Sequence, residues 1–441
     1  MTLTVLTAVV GDREAPLVSG LERSSAGVTV VRRCVDVLDL LSAAGAGLAR
    51  AVVLSAELQR LDRDAVTRLR LAGLAVVGLA APGDRAAAER LARLGVDPVL
   101  AADTPVEDIA AAVAAAVAEL AGQQPLLGSP AFGDPSAALP CPPGPSFPEM
   151  PTLPSSPPGR IVTVWGPTGA PGRTTVALTL ASHLALAGQD TLLVDADTHG
   201  AAIAQSLGLL DETAGIAAAA RAANQGTLDL PKLAELAPPL ESGLRVLTGL
   251  PQSRRWPELR ASALDVVWEK ARSLAGWTVV DAGFGLEADE ELMFDTTAPR
   301  RNAATLSAIA AADVVLAVGS AEPLGLQRLI AGLPEVTDLA GTAAIRVIVT
   351  RVRDGAVGHH PEQMIADALR RYAGVREPLL IPDDRPALDA AMLLGRSLTE
   401  QAPTSPACRP FEALAASLIE QYTPGFSGRP RRRARWGRRS A

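Results

Sequence analysis

Lysine is nearly absent from this chain of 441 residues. Lys232 and Lys270 are its only lysines, whereas arginine occurs 39 times. Arginine keeps the positive charge, but its planar, forked guanidinium is not interchangeable with a compact ammonium group. The net charge of −7 also excludes a nucleic-acid binder that works through the bulk charge of the whole chain.

Aromatic residues and cysteines are scarce as well. Aromatic residues make up 3% of a chain that is 48% apolar, so its two or three domains must have cores built largely from Ala, Val and Leu. Cys34, Cys141 and Cys408 match no metal-ligand pattern and predict a reducing compartment without disulfides. Neither a signal peptide nor a membrane span is indicated. We therefore expect a soluble, cytoplasmic protein.

Residues 1–121 alternate strand-like and helix-like segments at nearly regular spacing. Five such repeats predict a small doubly wound α/β domain with a parallel sheet. The predicted strands are Leu3–Val10, Val28–Arg32, Ala51–Ser55, Leu74–Ala80 and Pro98–Ala101. This outline resembles a response-regulator receiver domain.

The receiver-like region lacks the groups that receiver phosphorylation needs. That chemistry uses an aspartate at the end of the third strand, an acidic pair after the first strand and a lysine near the fifth. Here Ser55 ends the third strand, Asp12 is the only acid after the first, and no lysine occurs. We expect a degenerate docking or localisation module, and a purely structural appendage is the alternative.

Two other segments are predicted to lack a packed core. Residues 122–159 contain about a dozen prolines and predict a semi-extended linker. Residues 423–441 form a basic tail with seven arginines from Arg429 to Arg439 around Trp436. Such a tail is either solvated or contacts anionic lipid headgroups or DNA phosphates.

A glycine-rich turn is the most informative feature of the chain. The apolar run Ile161–Trp165 predicts a buried strand, GPTGAPG follows at residues 166–172, and helical spacing resumes at Arg173–Ala187. Glycines let successive N–H groups approach an anion, and the helix N-terminus adds its positive dipole end. Thr174 occupies the position of the P-loop hydroxyl that binds Mg²⁺. The alternative is an ordinary strand-to-helix turn.

Aspartates follow two further strands. Thr191–Val194 leads to Asp195 and Asp197, and Trp277–Val280 leads to Asp281. The carboxyl edge of a parallel sheet is where ligands bind, and a strand ending in Asp is typical of a Walker B element that supports Mg²⁺. Taken singly, each Asp is also compatible with a helix cap or a solvated loop. Additional strands are predicted at Leu244–Leu247, Asp313–Val318, Arg346–Thr350 and Pro378–Pro382.

Residues 160–422 resemble a P-loop ATPase domain of the ParA/MinD type. The matching segments, in order, are GAPGRTT, LLVDADTHG, VVDAGFG, ADVVLAVGSAEPLGLQRL and IPDDRPALDAAMLLGRSL. With the receiver-like region in front, the layout is similar to the CpaE/TadZ pilus-assembly branch and to actinobacterial septum-site-determining proteins.

The resemblance implies a site for ATP and Mg²⁺. Asp197 would orient the attacking water, Asp195 and Asp281 would lie in the water shell of the metal, and Thr350 stands where the family often has a base-reading Asn. Ile381–Asp383 would flank the adenine. The remaining residues implied to bind the nucleotide are Gly169, Ala170, Pro171, Gly172, Arg173, Thr174, Thr175 and Pro382.

Two positions depart from the family pattern. Arg173 replaces the lysine that ordinarily follows the last glycine of a P-loop, and Thr168 stands where the family has a signature lysine that crosses a dimer. Loss of a well-placed charge slows phosphoryl transfer by orders of magnitude. We therefore expect nucleotide binding with weak or absent hydrolysis, and Arg300 and Arg301 are candidates to supply the missing charge across a dimer.

These features favour an ATP-binding positioning protein that dimerises on nucleotide and helps to place septum or pilus-assembly machinery. Residues 1–121 would contact the partner, and the protein could lie at the membrane surface, a cell pole or the septum. A non-catalytic scaffold with a vestigial P-loop is one alternative. A DNA-partitioning ATPase that uses the basic tail is another.

Overall fold

The computed structural model describes residues 3–11, 13–23, 27–123, 158–209, 214–288 and 299–422. They form two compact units, divided between Pro158 and Gly159. Most of the predicted proline-rich linker and the whole basic tail lie outside the described residues.

The first unit is a five-stranded parallel sheet with helices on both faces. Its strand order, β2-β1-β3-β4-β5, is that of flavodoxin-like doubly wound sheets. Its elements are β1 (Leu3–Ala8), α1 (Glu14–Arg23), β2 (Val28–Arg33), α2 (Val37–Gly45), β3 (Ala51–Ser55), α3 (Arg63–Leu71), β4 (Ala75–Ala80), α4 (Arg85–Leu94), β5 (Val99–Ala101) and α5 (Val106–Gln123).

The central strand β3 is buried over its whole length. Val52 and Leu54 face a core that includes residues of α2, α3 and α4, whereas Val53 faces a core formed with α1 and α5. Because both faces are covered, the strand is a continuous apolar run rather than an alternating one. Ser55 ends it, and its hydroxyl oxygen accepts a hydrogen bond from the amide of Val10.

The second unit is a seven-stranded parallel sheet in the order β12-β11-β10-β6-β9-β7-β8. Its strands are β6 (Arg160–Trp165), β7 (Thr191–Ala196), β8 (Arg245–Leu247), β9 (Trp277–Ala282), β10 (Val314–Ser320), β11 (Ala344–Val352) and β12 (Leu379–Pro382). Its helices are α6 (Arg173–Leu186), α7 (Ile203–Ser206), α8 (Gly215–Asn224), α9 (Leu230–Leu236), a 3₁₀ helix (Ser253–Glu258), α10 (Ala261–Leu274), α11 (Ala303–Ala310), α12 (Pro323–Ala340), α13 (Pro361–Ala373), α14 (Arg385–Leu393), α15 (Leu398–Gln401) and α16 (Cys408–Tyr422).

The two sheets confirm the predicted α/β fold class. Every strand predicted from an apolar run is present, although most bounds differ by a residue or two. Strand β6 pairs with β10 on one side and with β9 on the other. The strand order therefore reverses at β6, with β7 to β9 on one side and β10 to β12 on the other. The loop after β6 thus lies where doubly wound sheets bind ligands.

Small residues and a few indoles share the core of the second unit. Helix α8 packs on α10 through buried alanines, among them Ala219 and Ala223. Three of the five tryptophans of the chain, Trp165, Trp268 and Trp277, are fully buried. The core is therefore rich in Ala, Val and Leu, as expected, and the scarce large rings fill it at a few points. No helix in the described part of the chain is long and apolar enough to cross a membrane.

Asp313 joins three segments at the amino-terminal edge of the larger sheet. Its carboxylate accepts hydrogen bonds from the amide of Ile161 at 2.8 Å, from Arg160 Nη1 at 3.0 Å and from Arg272 Nη1 at 2.7 Å. Burial acts to raise its pKa, but the Ile161 amide and the two arginines outweigh burial and hold the pKa below its ordinary value.

We predict that Asp313→Asn lowers the free energy of unfolding by about 1–3 kcal/mol near neutral pH, because hydrogen bonds to a charged group are lost. A lowered folded-state pKa gives stabilisation that is present at neutral pH and lost as the pH falls through that pKa. Urea unfolding of both proteins at about pH 7 and about pH 3 should therefore show a larger difference at the higher pH. An equal difference at both values would contradict the assignment.

Candidate functional site

A cavity of about 370 Å³ opens at the carboxyl edge of the larger sheet, beside the loop after β6. That loop, the turn after β7 and the segment after β9 form its walls. The lining residues are Ala170, Pro171, Gly172, Arg173, Thr174, Thr175, Asp197, His199, Gly200 and Phe284.

The glycine-rich loop has a shape that only glycine permits at two positions. Gly172, the N-cap of α6, has φ +99°, which side chains disfavour. At Gly166, a Cβ would lie 2.4 Å from the carbonyl oxygen of Val318. No side chain caps the N-terminus of α6, so its first N–H groups keep their capacity to bind an anion.

Arg173 folds back over the loop. Its Nη1 donates to the carbonyl oxygen of Gly166 at 3.1 Å, and its Nη2 pairs with Asp197 Oδ2 at 3.2 Å. The guanidinium carbon lies 5.9 Å from the centre of the Phe284 ring. The cation expected beside a phosphate is thus bound to a carboxylate of the same site.

The carboxylates of Asp195 and Asp197 both accept hydrogen bonds from nearby backbone amides. Asp195 Oδ2 accepts from the amides of Ala202 and Ile203 at 3.0 Å each, and its Oδ1 accepts from the amide of Asp197 at 3.3 Å. Asp197 Oδ1 accepts from the amide of His199 at 2.8 Å. Burial is the main reason that the pKa of Asp195 rises to about 7. Together the two aspartates fix the turn that follows β7.

Asp281 differs from both, because neither of its carboxylate oxygens has a hydrogen-bond partner among the described residues. It is 1% exposed and pairs in register with Asp195. Burial first, and then the charge of Asp195, raises its pKa well above the ordinary value. The nearby hydroxyl of Thr174 acts in the opposite direction, although it does not meet hydrogen-bond geometry with either carboxylate oxygen. A cation beside Thr174 would supply the missing partner.

Mg²⁺ fits this arrangement. It keeps several of its own waters and uses few protein ligands. Among the described residues, no group of three or more His, Cys, Asp or Glu side chains forms a metal site. A hydroxyl from Thr174 and an unpartnered carboxylate from Asp281 suit a metal that is coordinated mainly by water and phosphate.

Two residues implied to bind the base lie elsewhere at this sheet edge. The hydroxyl of Thr350 lies 2.9 Å from the carbonyl oxygen of Pro171 and 3.2 Å from that of Gly319, so it ties the loop to β10. Pro382 ends β12, pairs in register with Val352 and does not line the cavity.

Sequence reasoning missed several residues of the cavity and its surroundings. His199 and Phe284 line the cavity, and their rings stack with centroids 4.4 Å apart. Arg328 on α12 donates from Nη1 to the carbonyl oxygen of Thr168 at 3.1 Å. His199 and Phe284 belong to the motifs DADTHG and DAGFG. Their positions close to the aspartates of these motifs are the sequence feature that could have identified them.

The two arginines after β9 differ in their surroundings. Arg300 is exposed. Arg301 bonds within the same chain, from Nη1 to Thr198 Oγ1 at 2.9 Å, and its guanidinium lies 5.4 Å from the ring of Trp256. Arg301 is thus already held at the turn that borders the cavity.

A model of the CobQ/CobB/MinD/ParA nucleotide binding domain matches residues 162–391, just over half of the chain. The chain matches no curated protein.

Three solved structures are similar to it. The cell division ATPase MinD of Pyrococcus furiosus is 22% identical, covering 60% of this chain and 99% of that one, with a TM-score of 0.47. The septum site-determining protein MinD of Pyrococcus horikoshii, complexed with Mg-ADP, is 21% identical, covering 60% and 97%, with a TM-score of 0.46. A ParA family ATPase of Chlorobium tepidum is 16% identical, covering 59% and 99%, with a TM-score of 0.49.

We predict that Asp281→Asn stabilises the metal-free protein near pH 8 by about 1–2 kcal/mol, because it removes a buried charge without a partner. A raised folded-state pKa makes the ionised form costly, so the unfolding free energy of the wild type falls as the pH rises above the ordinary carboxyl pKa. The melting temperatures of the two proteins in a chelator should converge as the pH falls to about 4, the ordinary carboxyl pKa. A variant that is less stable than the wild type near pH 8 would contradict this.

Proposed function

The chain belongs to the CobQ/CobB/MinD/ParA nucleotide-binding domain family, and we propose that it binds ATP with Mg²⁺ in the cavity beside Arg173. The observation that carries the proposal is the buried, unpartnered carboxylate of Asp281 next to the glycine-rich loop. Such a group is destabilising in an empty site and is neutralised when a Mg²⁺–phosphate complex is present.

Each part of the site then has a role. The loop from Gly169 to Thr175 surrounds the phosphates, and the hydroxyl of Thr174 and the carboxylate of Asp281 support the metal. Asp197 orients the attacking water once Arg173 has exchanged its carboxylate partner for a phosphate. Asp195 contributes through its charge and by holding the turn after β7.

We expect hydrolysis to be weak. Arg173 is shared between the Gly166 carbonyl and Asp197, and its planar fork cannot occupy the point position of a lysine ammonium. Poor placement of this charge slows phosphoryl transfer more than it weakens binding. A nucleotide-controlled switch with slow turnover fits the site better than a fast ATPase.

We further propose that the protein acts in cellular positioning, as a CpaE/TadZ-like member of the family. Nucleotide binding would drive dimerisation, and residues 160–422 would be the switch. Residues 1–121, a receiver-like domain without phosphoacceptor groups, would dock septum or pilus-assembly proteins. Residues 122–159 would tether the two domains, and the tail from 423 would contact an anionic membrane surface or DNA. The expected location is the cytoplasm, with recruitment to a pole, septum or membrane surface.

The test is equilibrium binding of ATP and ADP with Mg²⁺, together with the mass of the full chain in solution. We expect Mg²⁺-dependent binding, an ATP-dependent dimer, and loss of both in Asp281→Ala. Glu89→Ala, on the exposed face of α4 in the first unit, is the matched control and should behave as wild type. Absence of binding at about millimolar nucleotide would overturn the proposal.

A scaffold with a vestigial P-loop is the second candidate. The Arg173–Asp197 ion pair favours it, since the pair satisfies the charge of this guanidinium within the protein. This candidate predicts that the wild type binds no nucleotide. It also predicts that residues 1–121 bind their partners equally well with and without nucleotide.

We predict that Arg173→Lys raises ATP turnover by about tenfold or more, because a compact ammonium replaces a fork that bridges two protein oxygens. Steady-state phosphate release is the measurement, with Arg173→Ala as the variant that lacks any cation. Equal turnover in the Lys and Ala variants would show that the charge at this position does not limit hydrolysis.

A further inference from the structure

His199 has an unusual setting on the turn after β7. It lines the cavity, and its Nδ1 lies 3.0 Å from Nη2 of Arg301. Its other ring nitrogen, Nε2, is buried and has no hydrogen-bond partner among the described residues. The ring thus has one nitrogen held by an arginine and one nitrogen that lacks a partner.

Arg301 determines which nitrogen carries the proton. A guanidinium has five N–H donors and no acceptor, so Nδ1 of His199 must be the acceptor. A ring that accepts at Nδ1 is neutral and carries its proton on Nε2. The buried Nε2–H is therefore a donor that needs an acceptor.

The position of Arg301 is fixed by several contacts. Its Nη1 donates to Thr198 Oγ1 at 2.9 Å, its Nη2 lies 3.2 Å from the carbonyl oxygen of Thr198, and its guanidinium lies 5.4 Å from the ring of Trp256. The tautomer of His199 thus follows from a guanidinium held by the backbone, a hydroxyl and an indole.

The surroundings indicate what the acceptor is. A buried donor without an acceptor is costly. The cavity that His199 lines is also bounded by the glycine-rich loop, Arg173, Asp197, Gly200 and Phe284, and the one carboxylate among them, Asp197, is already paired with Arg173. A glycine-rich loop and a guanidinium bind anionic oxygens. Neither lysine of the chain lines the cavity. Lys232 pairs with Glu235 on α9, and Lys270 pairs with Glu269 on α10.

We propose that Nε2–H of His199 donates a hydrogen bond to a phosphate oxygen of a bound nucleoside di- or triphosphate, with Arg301 as its positioning residue. This inference rests on the proposed nucleotide binding and adds a specific contact to it. His199 and Arg301 thus supply, from within one chain, a hydrogen-bond donor for phosphate. The glycine-rich loop itself has Thr168 and Arg173 at the two positions where the family has lysine.

Phe284 lies beside this donor. Its ring stacks on His199 with centroids 4.4 Å apart and lies 5.9 Å from the guanidinium of Arg173. Both groups that would contact phosphate are therefore beside one aromatic ring.

The first experiment compares binding of Mg-ATP and Mg-ADP to the full chain and three variants. His199→Phe keeps a packed ring but removes both nitrogens, and should weaken binding about tenfold or more. His199→Gln keeps an N–H donor at a similar reach and should remain within about threefold of the wild type. His359→Phe, at an exposed loop position, is the matched control and should be unchanged.

The second experiment records imidazole ¹⁵N NMR spectra with and without Mg-ADP. The chain has four histidines, and the His199 signals are those missing from His199→Phe. We expect an unprotonated Nδ1, a protonated Nε2 whose shift changes on nucleotide addition, and loss of the fixed tautomer in Arg301→Leu.

The outcomes separate this inference from the proposed function. If the wild type binds nucleotide and His199→Phe binds equally well, the inference is wrong and the proposed function stands. Unchanged His199 signals in the nucleotide complex would also overturn the inference alone. If the wild type binds neither nucleotide, both proposals fall.

Discussion

The burial of three aspartates at one sheet edge is the constraint on which the site depends. Asp195, Asp197 and Asp281 are each at most 5% exposed, and each requires neutralisation. Backbone amides of the 197–203 turn satisfy Asp195, whereas Arg173 pairs with Asp197 and no described residue satisfies Asp281. The conformation of the turn after β7 and the position of Arg173 over the loop both follow from how this negative charge is distributed.

The fold could be predicted from the sequence because its strands are parallel and covered on both faces. Such strands are apolar runs that end in polar residues, as β7 and β9 do. The motif spacing also identified the loop and the three aspartates. Their partners could not be predicted, since Arg173 reaches Asp197 and Arg301 reaches His199 only after the chain has folded. Arg301 remains a candidate for a charge across a dimer, and within the single chain its guanidinium bonds to Thr198.

The preference for arginine has a structural consequence beyond the site. Arg272 bonds to the carbonyl oxygens of Gly159 and Ala311 as well as to Asp313. One planar fork thus fastens the start of the second unit to α11 and β10, and a single ammonium could not span this geometry. Arg328 similarly reaches the backbone of the glycine-rich loop from α12. Guanidiniums serve here as backbone clamps rather than only as surface charges.

The buried indole of Trp165 gives the site an internal optical reporter. Trp165 is the last residue of β6, directly before the glycine-rich loop, and its Nε1 donates to the carbonyl oxygen of Phe284 at 3.1 Å. The ring of Phe284 in turn stacks on His199. One hydrogen bond therefore links the loops after β6 and β9, so a rearrangement of either loop changes the polarity around an indole that is 1% exposed. We therefore expect the fluorescence of Trp165 to respond to changes in the cavity, although the indole itself lies in the core.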